Sequence, residues 1–392
     1  MPEDLKYELY EKGDESEIVD LLSHVFGGWP QFDISCTSLD HWRWKYLDNP
    51  VGKQSMVICR DRDMVVGCLL NVPRAMRLNN RVVIAGDACD AAVHPEYRRR
   101  GIYSRMIEMQ DKIRLEQGNY ITCVLQGNPI LVEHAKRVGL SSFPAEIKTL
   151  VRVHDFTELI KRKNLDERGF FRRPEFLTIG FQGMKTVNLL RHGAAADRVS
   201  DASVEKAGRL GENVSTLVES VYRYYNFILD KRPEFLNWRY CDRRGGEYQV
   251  DLVLDDGEVK GYCVYRINSL KKDYPEGYIL DVLVEHGKTE YASLLIGEAA
   301  RYFDEHQVNS SYCLLSGGHS LERAFRLNGF IDLFRRRSVV LEALDPRSED
   351  DLDKVRASKA ERLEYMFAYT DSILYTNLLN CACAFEEIIR VS

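Results

Sequence analysis

The chain repeats itself, and the repeat limits what it can fold into. Trp44-Lys45-Tyr46 with Asp48 returns 194 residues later as Trp238-Arg239-Tyr240 with Asp242. Val65-Val66-Gly67 returns as Val259-Lys260-Gly261 at the same spacing, and Asp90 and Val93 return as Asp281 and Val284. Thr122-Cys123-Val124-Leu125 is answered by Tyr312-Cys313-Leu314-Leu315, and Gly139-Leu140 by Gly329-Phe330. Order is kept throughout and the spacing drifts by only a few residues, as short loop deletions would leave it. Such self-similarity reads as a tandem duplication. At 392 residues each copy then has the length of one ordinary domain.

Local patterns give each copy alternating strands and helices. Lys6 to Tyr10 reads as a strand. Asp14 to Glu17 reads as a helix start with acids at the positive end of the dipole, and Ile18, Leu21, Leu22 and Val25 supply one apolar face. Ser55 to Arg60 and Met64 to Val72 read as strands joined at Asp61-Arg62-Asp63, and Arg81 to Val93 as another. Ile121 to Leu125 is a further buried strand, Pro129 to Val138 a helix ending at Gly139, and Lys148 to Val153 the strand expected to close the first copy.

Between Val93 and Ser104 the chain reads Val-His-Pro-Glu-Tyr-Arg-Arg-Arg-Gly-Ile-Tyr-Ser. Pro95 stops the strand because it cannot donate to a ladder. Ile102, Met106, Ile107 and Ile113 then recur at helical spacing, so a helix opens near Gly101. A helix N-terminus offers unpaired N–H groups and the positive end of the dipole. Glycine there lets a phosphate approach the backbone, and guanidinium matches phosphate geometry. Strand, basic glycine turn and helix together describe a diphosphate cradle.

Val93, Pro95, Arg98 and Gly101 resemble the cofactor motif of the GNAT superfamily of acyl-CoA N-acyltransferases, with Tyr103 where the last small residue usually stands. The duplication resembles the tandem arrangement of the enhanced-intracellular-survival type acetyltransferases. The resemblance implies an α/β (α+β) class with two GNAT-like domains, each a mixed, mostly antiparallel, splayed sheet flanked by helices. The expected division is residues 1–155, an N-terminal GNAT domain with the acetyl-CoA site; 156–200, a helical connector; 201–345, a degenerate GNAT-like copy; and 346–392, a helix and strand tail. The second copy reads His286-Gly287-Lys288-Thr289-Glu290 where the first has its arginines, so it should hold a diphosphate poorly.

The implied activity is N-acetyl transfer from acetyl-CoA, a co-substrate, to a primary amine of a small molecule by direct attack in a ternary complex. A longer-chain N-acyltransferase and a non-catalytic CoA-binding scaffold are the alternatives. Pantetheine is expected along the free strand edge at Ala91, Ala92 and Val93, and the diphosphate at Arg98, Arg99, Arg100, Gly101, Ile102, Tyr103 and Ser104, with Asn128 as a further cofactor contact. Transfer needs a base, because an alkyl ammonium with a pKa near ~10.4 must lose a proton before it attacks. The family's acid falls on Asp87, with Asp90 as the second candidate. Strand alternation sets Asp87, Cys89, Ala91 and Val93 on one face and Asp90 on the other. The family's proton-donating tyrosine falls on Ala135, beside His134; Tyr103, Tyr365 and Tyr369 are other candidate proton donors.

Composition sets the remaining bounds. A net charge of −6 argues against a nucleic-acid partner and mildly favours a cationic substrate. The sequence offers no apolar run of ~20 residues for a membrane span, and Met1-Pro2-Glu3-Asp4 is unlike a secretory signal, so a cytoplasmic location is expected. A homo-oligomer is compatible with all of this. Ten cysteines with no Cys-x-x-Cys pair argue against a metal site. Cys59, Cys68, Cys89, Cys123, Cys263 and Cys313 read as buried thiols. Tyr222 to Phe227 reads as the packed aromatic face of a helix, or alternatively as the wall of an amine pocket. The basic runs Lys161-Arg162-Lys163 and Phe170 to Pro174 read as part of the connector, and Asp345 to Lys359 as a charged helix before a strand at Tyr365 to Tyr375.

Overall fold

Two neighbouring asparagines shape the first sheet. Asn79 and Asn80 both take positive φ, 48° and 72°, between paired Leu78 and Arg81. That is a two-residue hairpin turn whose twist matches its strands. It joins β3 (Met64–Leu78) to β4 (Arg81–Val93). The computed structural model describes residues 5–52, 54–118, 121–124, 141–142, 145–155, 158, 201–270, 272–337, 340–364 and 366. In it β3 runs well past Val72, where the sequence reading ended it. Pro73 does not break the strand because β2 (Val57–Asp61) leaves β3 at Leu69, so among the described residues Pro73 sits where that flank has no partner strand.

The described residues divide into two units. The first contains residues 1–144, 226–247 and 338–359. Its sheet has the order β1 (Leu5–Leu9), β2, β3, β4, β5 (Ile121–Val124), β15 (Val340–Ala343) and β6 (Ser141–Ser142), with β9 (Phe227–Leu229) on the end of β3. Helices α1 (Glu15–Phe26) and α2 (Ser38–Tyr46) pack against it, as does α3 (Ile102–Glu116). Ile102 and Met106 of α3 join Val57, Cys59, Val66 and Leu69 in a buried cluster, which seats the helix by its apolar face. The repeat-related tryptophans meet within this unit. Trp44 and Trp238 stack at 4.8 Å, and each indole Nε1 donates to the other's carbonyl, at 3.0 and 3.1 Å.

The second unit contains residues 145–225, 248–337 and 360–392, of which those described form a sheet ordered β14 (Ile331–Arg337), β7 (Ile147–Val153), β13 (Ser310–Ser316), β12 (Glu276–Val284), β11 (Glu258–Asn268), β10 (Gln249–Asp255) and β8 (Ser203–Lys206). Helix α6 (Thr289–Glu305) covers it, burying Leu295, Ile296, Ala299 and Phe303. The strand Ile147–Val153 therefore does not close the first copy. It pairs with β13 and β14, and β15, late in the chain, pairs with β5 instead. Alternating burial marks a residue run as a strand without saying which sheet it joins.

Tyr222 to Phe227 is also corrected. Helix α4 (Glu212–Tyr222) ends where that stretch begins, and Phe227 opens β9, so the aromatics span a helix end, a turn and a strand rather than one helical face. No Gly or Pro marks the stop. Charged helix α8 (Pro346–Arg356) falls within the expected span. The helix expected at 129–138, the connector and its basic runs, and the strand expected at 365–375 apart from Met366 lie outside the described residues. Among the described residues no helix is long and apolar enough to cross a membrane.

Candidate active site

Strand β4 is bonded to β3 along its length but to β5 only at Ala85, Gly86 and Asp87. Among the described residues, the edge of β4 beyond Asp87 has no strand beside it. His94 N–H donates to Val66 O at 2.9 Å, toward β3. Successive amides of a strand point to opposite edges, so those of Val93 and Ala91 point away from β3, into the splay. Ala92 pairs with Cys68 and is buried.

A β-bulge sits within this edge. Leu70 pairs with Cys89 and Cys68 with Ala92, so Asp90 and Ala91 together face the single residue Leu69. Asp90 takes φ 50°, which an Asp tolerates better than most residues. The bulge overturns the simple alternation expected from sequence. Ala91 and Val93 pack with Ile102 and Met106 on the α3 side, whereas Cys89 and Asp90 both lie by the Tyr46 hydroxyl of α2. Cys89 is only half-buried, unlike the other five thiols expected inside, because it stands past the last residue that β5 covers.

The two candidate carboxylates have different settings. Asp87, 5% exposed, meets the fully buried guanidinium of Arg74, whose Nε lies 3.4 Å from Oδ2. It occupies the last paired position of β4, at the root of the splay. Asp90 accepts from three side chains: Lys45 Nζ at 2.6 Å and Tyr46 hydroxyl at 2.5 Å on Oδ2, and Trp29 Nε1 at 3.1 Å on Oδ1. Burial, then the neighbouring Asp90 charge, push the Tyr46 phenol well above its ordinary pKa, so it donates rather than ionises. Sequence reasoning found Lys45 and Tyr46 only as part of the repeat and missed their link to Asp90. The signal was present: a Trp-basic-Tyr run and a strand aspartate recur together in both copies.

The turn after β4 forms as its residues dictate. Pro95–Tyr97 makes one 3₁₀ turn, Arg99 takes φ 65° and Gly101 φ 75° before α3 begins. A Cβ on Gly101 would meet nothing within 4 Å, so space lies open above the helix N-terminus. The first-turn N–H groups of Ile102, Tyr103 and Ser104 have no acceptor within the helix. Arg98, Arg99 and Arg100 are exposed. Arg98 Nε donates to Val93 O at 3.3 Å, and Arg100 donates to Glu96 O at 2.8 Å while lying over the Tyr97 ring. Tyr97 is fixed by donating to Asp61 at 2.6 Å. Tyr103 is half-buried beside the Ile102 cluster, its phenol raised by burial and then by Asp111. The residues present thus fit a diphosphate: donors, cations and room at one helix end. Asn128, His134, Ala135, Tyr365 and Tyr369 lie outside the described residues.

In the second unit the corresponding strand behaves otherwise. Strand β12 pairs with β13 only at Glu276, Gly277 and Tyr278, and a register irregularity falls near Asp281, whose carboxylate accepts from Tyr262 at 3.0 Å. Glu285 N–H donates to Lys260 O at 2.9 Å, as His94 does to Val66. Beyond Tyr278 the splay holds Met366, which bridges to Leu315 and whose sulfur accepts from Val282 N–H at 3.3 Å. The turn beyond it, Glu285 to Thr289, borders a shallow pocket whose wall includes Tyr225. His286 there stacks on Tyr224.

Residues 6–127 match the family model described as an acetyltransferase (GNAT) domain. No curated protein matches the chain. Among solved structures, a tandem GNAT protein from the clavulanic acid biosynthesis pathway is 14% identical over 88% of this chain and 99% of its own, with a TM-score of 0.53. A GCN5-related N-acetyltransferase from Anabaena variabilis is 12% identical over 87% of this chain and 73% of its own, at 0.55. An N-myristoyltransferase of Saccharomyces cerevisiae, solved with bound myristoyl-CoA and inhibitors, is 12% identical over 88% and 81%, at 0.56. At these identities the likeness is one of fold.

Proposed function

We propose, from the match of residues 6–127 to the acetyltransferase (GNAT) domain model, that this chain transfers an acetyl group from acetyl-CoA to a primary amine of a small molecule. The observation that carries the reading is the splayed edge of β4 running straight into a turn with three exposed arginines and Gly101. Diphosphate would rest on the first-turn amides of α3 and on Arg98, Arg99 and Arg100, with pantetheine along Ala91 to Val93 and Asn128 as a further contact. On this reading the active site belongs to the first unit, and the second unit is a copy without a cofactor.

The amine, once neutral, attacks the thioester carbon in a ternary complex. Asp87 at the root of the splay takes its proton, directly or through water. The Ala91 N–H faces the carbonyl oxygen and stabilises the charge that develops there. The carbon–sulfur bond breaks and the thiolate leaves, protonated by solvent. Holding amine and thioester together supplies much of the acceleration.

A thiol-release screen of acetyl-CoA against amino sugars, polyamines, amino acids and aminoglycosides tests this. Release with at least one class is expected, with Arg100→Ala raising KM for acetyl-CoA about tenfold. Faster release from longer thioesters would move the activity to longer-chain acyl transfer. Tight CoA binding without release for any amine or thioester would make the protein a CoA-binding scaffold.

A further inference from the structure

We propose that Lys45, Tyr46 and Trp29 are positioning residues for acyl transfer: by clamping the Asp90 carboxylate they hold the β4 bulge that turns the Ala91 amide into the splay. This rests on the reading of β4 as the acyl-thioester edge. Three observations carry it.

The first is that the clamp is built rather than incidental. Lys45 is 4% exposed and Tyr46 fully buried, and both donate to the same oxygen of Asp90 while Trp29 donates to the other. A buried ammonium without an anion is strongly unfavourable, so Lys45 and Asp90 hold each other in place. The Asp90 carbonyl is engaged as well, by Cys68 Sγ at 3.8 Å.

The second is its place. Asp90 is the bulge residue, at φ 50°, and the next residue is Ala91. Without the extra residue, strand alternation would continue from Cys89 and the amides that follow would exchange edges. The bulge, not the strand, decides that Ala91 and Val93 offer their N–H groups to the splay.

The third comes from the second sheet. The amide that matches Ala91 is that of Val282, one residue past Asp281. It donates to the Met366 sulfur inserted between the parting strands. An amide placed this way does receive an acceptor from outside the ladder. In the first sheet the acceptor of fitting chemistry is the thioester carbonyl.

The test is isotope-edited infrared spectroscopy of [1-13C]acetyl-CoA bound to the intact protein, with CoA affinity and circular dichroism measured alongside. Wild type should show the carbonyl band below that of free acetyl-CoA, as a hydrogen-bonded carbonyl does. Lys45→Met and Asp90→Ala should return the band toward the free value, while the affinity for CoA, which lacks that carbonyl, stays within about twofold. Lys45→Arg should restore the shift, and Tyr46→Phe, a milder change, should give a partial loss if Asp90→Ala fails to fold. With a turned-over amine in hand, kcat should fall by about 10²-fold with a smaller change in KM. A folded Lys45→Met variant whose band matches wild type overturns the clamp alone. Failure of the intact protein to bind acetyl-CoA overturns the cofactor reading, and the clamp with it.

Discussion

In the first sheet, β4 leaves its parallel partner after Asp87 and presents Ala91 and Val93 to the splay; in the second, β12 leaves its partner after Tyr278 and meets Met366. Both strands carry an irregularity beside an aspartate, and both close with an amide bonded back to the neighbouring antiparallel strand. The scaffold is thus the same device used twice. What differs is the turn that follows. One reads Arg98-Arg99-Arg100-Gly101, the other His286-Gly287-Lys288 with His286 stacked on Tyr224. A splayed pair of strands leaves backbone groups that must find partners. The second sheet satisfies one of them from its own chain, and the first runs into a turn with three exposed arginines and Gly101.

The largest way to break this contrast is to remove the internal occupant. Met366 is fully buried in the core of the second unit, so Met366→Ala should cost about 2–5 kcal/mol in chemical denaturation. Acetyl-CoA affinity should be unchanged, because the proposed site lies in the first unit. A variant of wild-type stability would mean that the sulfur and its contacts fill nothing.

A smaller effect comes from matching glycines at the roots of the two splays. A Cβ on Gly277 would lie 2.9 Å from the Phe303 ring, and one on Gly86 2.6 Å from Arg114 Nε and Asn71 Nδ2. Gly277→Ala should cost about 1–3 kcal/mol, since a packed ring has nowhere to move. Gly86→Ala should cost at least as much, because Arg114 and Asn71 are themselves buried and bonded, Arg114 to Thr122 Oγ1 and Ile121 O and Asn71 to the Ser55 N–H. Thermal melts of the two variants compare the sites directly, and a clearly smaller shift for Gly86→Ala would show that these side chains yield.

The smallest effect concerns the strand Ile147–Val153 in its observed sheet. Lys148 Nζ donates to both oxygens of Glu322, at 3.0 and 2.9 Å. Burial raises the Glu322 carboxyl, but Lys148 and Arg326 outweigh it and hold the carboxyl below its ordinary pKa. A group with a depressed folded-state pKa stabilises above its unfolded value, near ~4.3, and loses that contribution as pH falls through the folded value. Lys148→Met should therefore cost roughly 1 kcal/mol at neutral pH, with the difference from wild type fading only as pH falls through the depressed folded-state pKa of Glu322. A pH-independent difference would point to packing of the Lys148 stem instead.

Much of the first sheet could be read in advance because its signals are local. The limits of Arg81–Val93 and the helix opening after Gly101 follow from a proline, a glycine and one apolar period. The duplication exposed the second copy and the absence of arginines from its turn. What escaped were non-local facts. Nothing in Ile147–Val153 says that its ladder lies in the second unit. Nothing in Ala88 to Val93 shows a bulge, since Asp90 at positive φ looks like any strand acid; a face assignment made by alternation fails at that residue. Lys45 and Tyr46 were visible as a repeat, but their task needed Asp90 beside them.

The turn after β4 makes the proposed acyl-CoA site, one per chain and in the first unit. Isothermal titration of the intact chain with acetyl-CoA tests it most directly, with Gly101→Glu as the partner measurement. Gly101 sits at φ 75°, and a carboxylate there would oppose a diphosphate. One molecule should bind per chain, with no measurable binding to Gly101→Glu. No binding to wild type, two sites per chain, or one site that survives Gly101→Glu would contradict it.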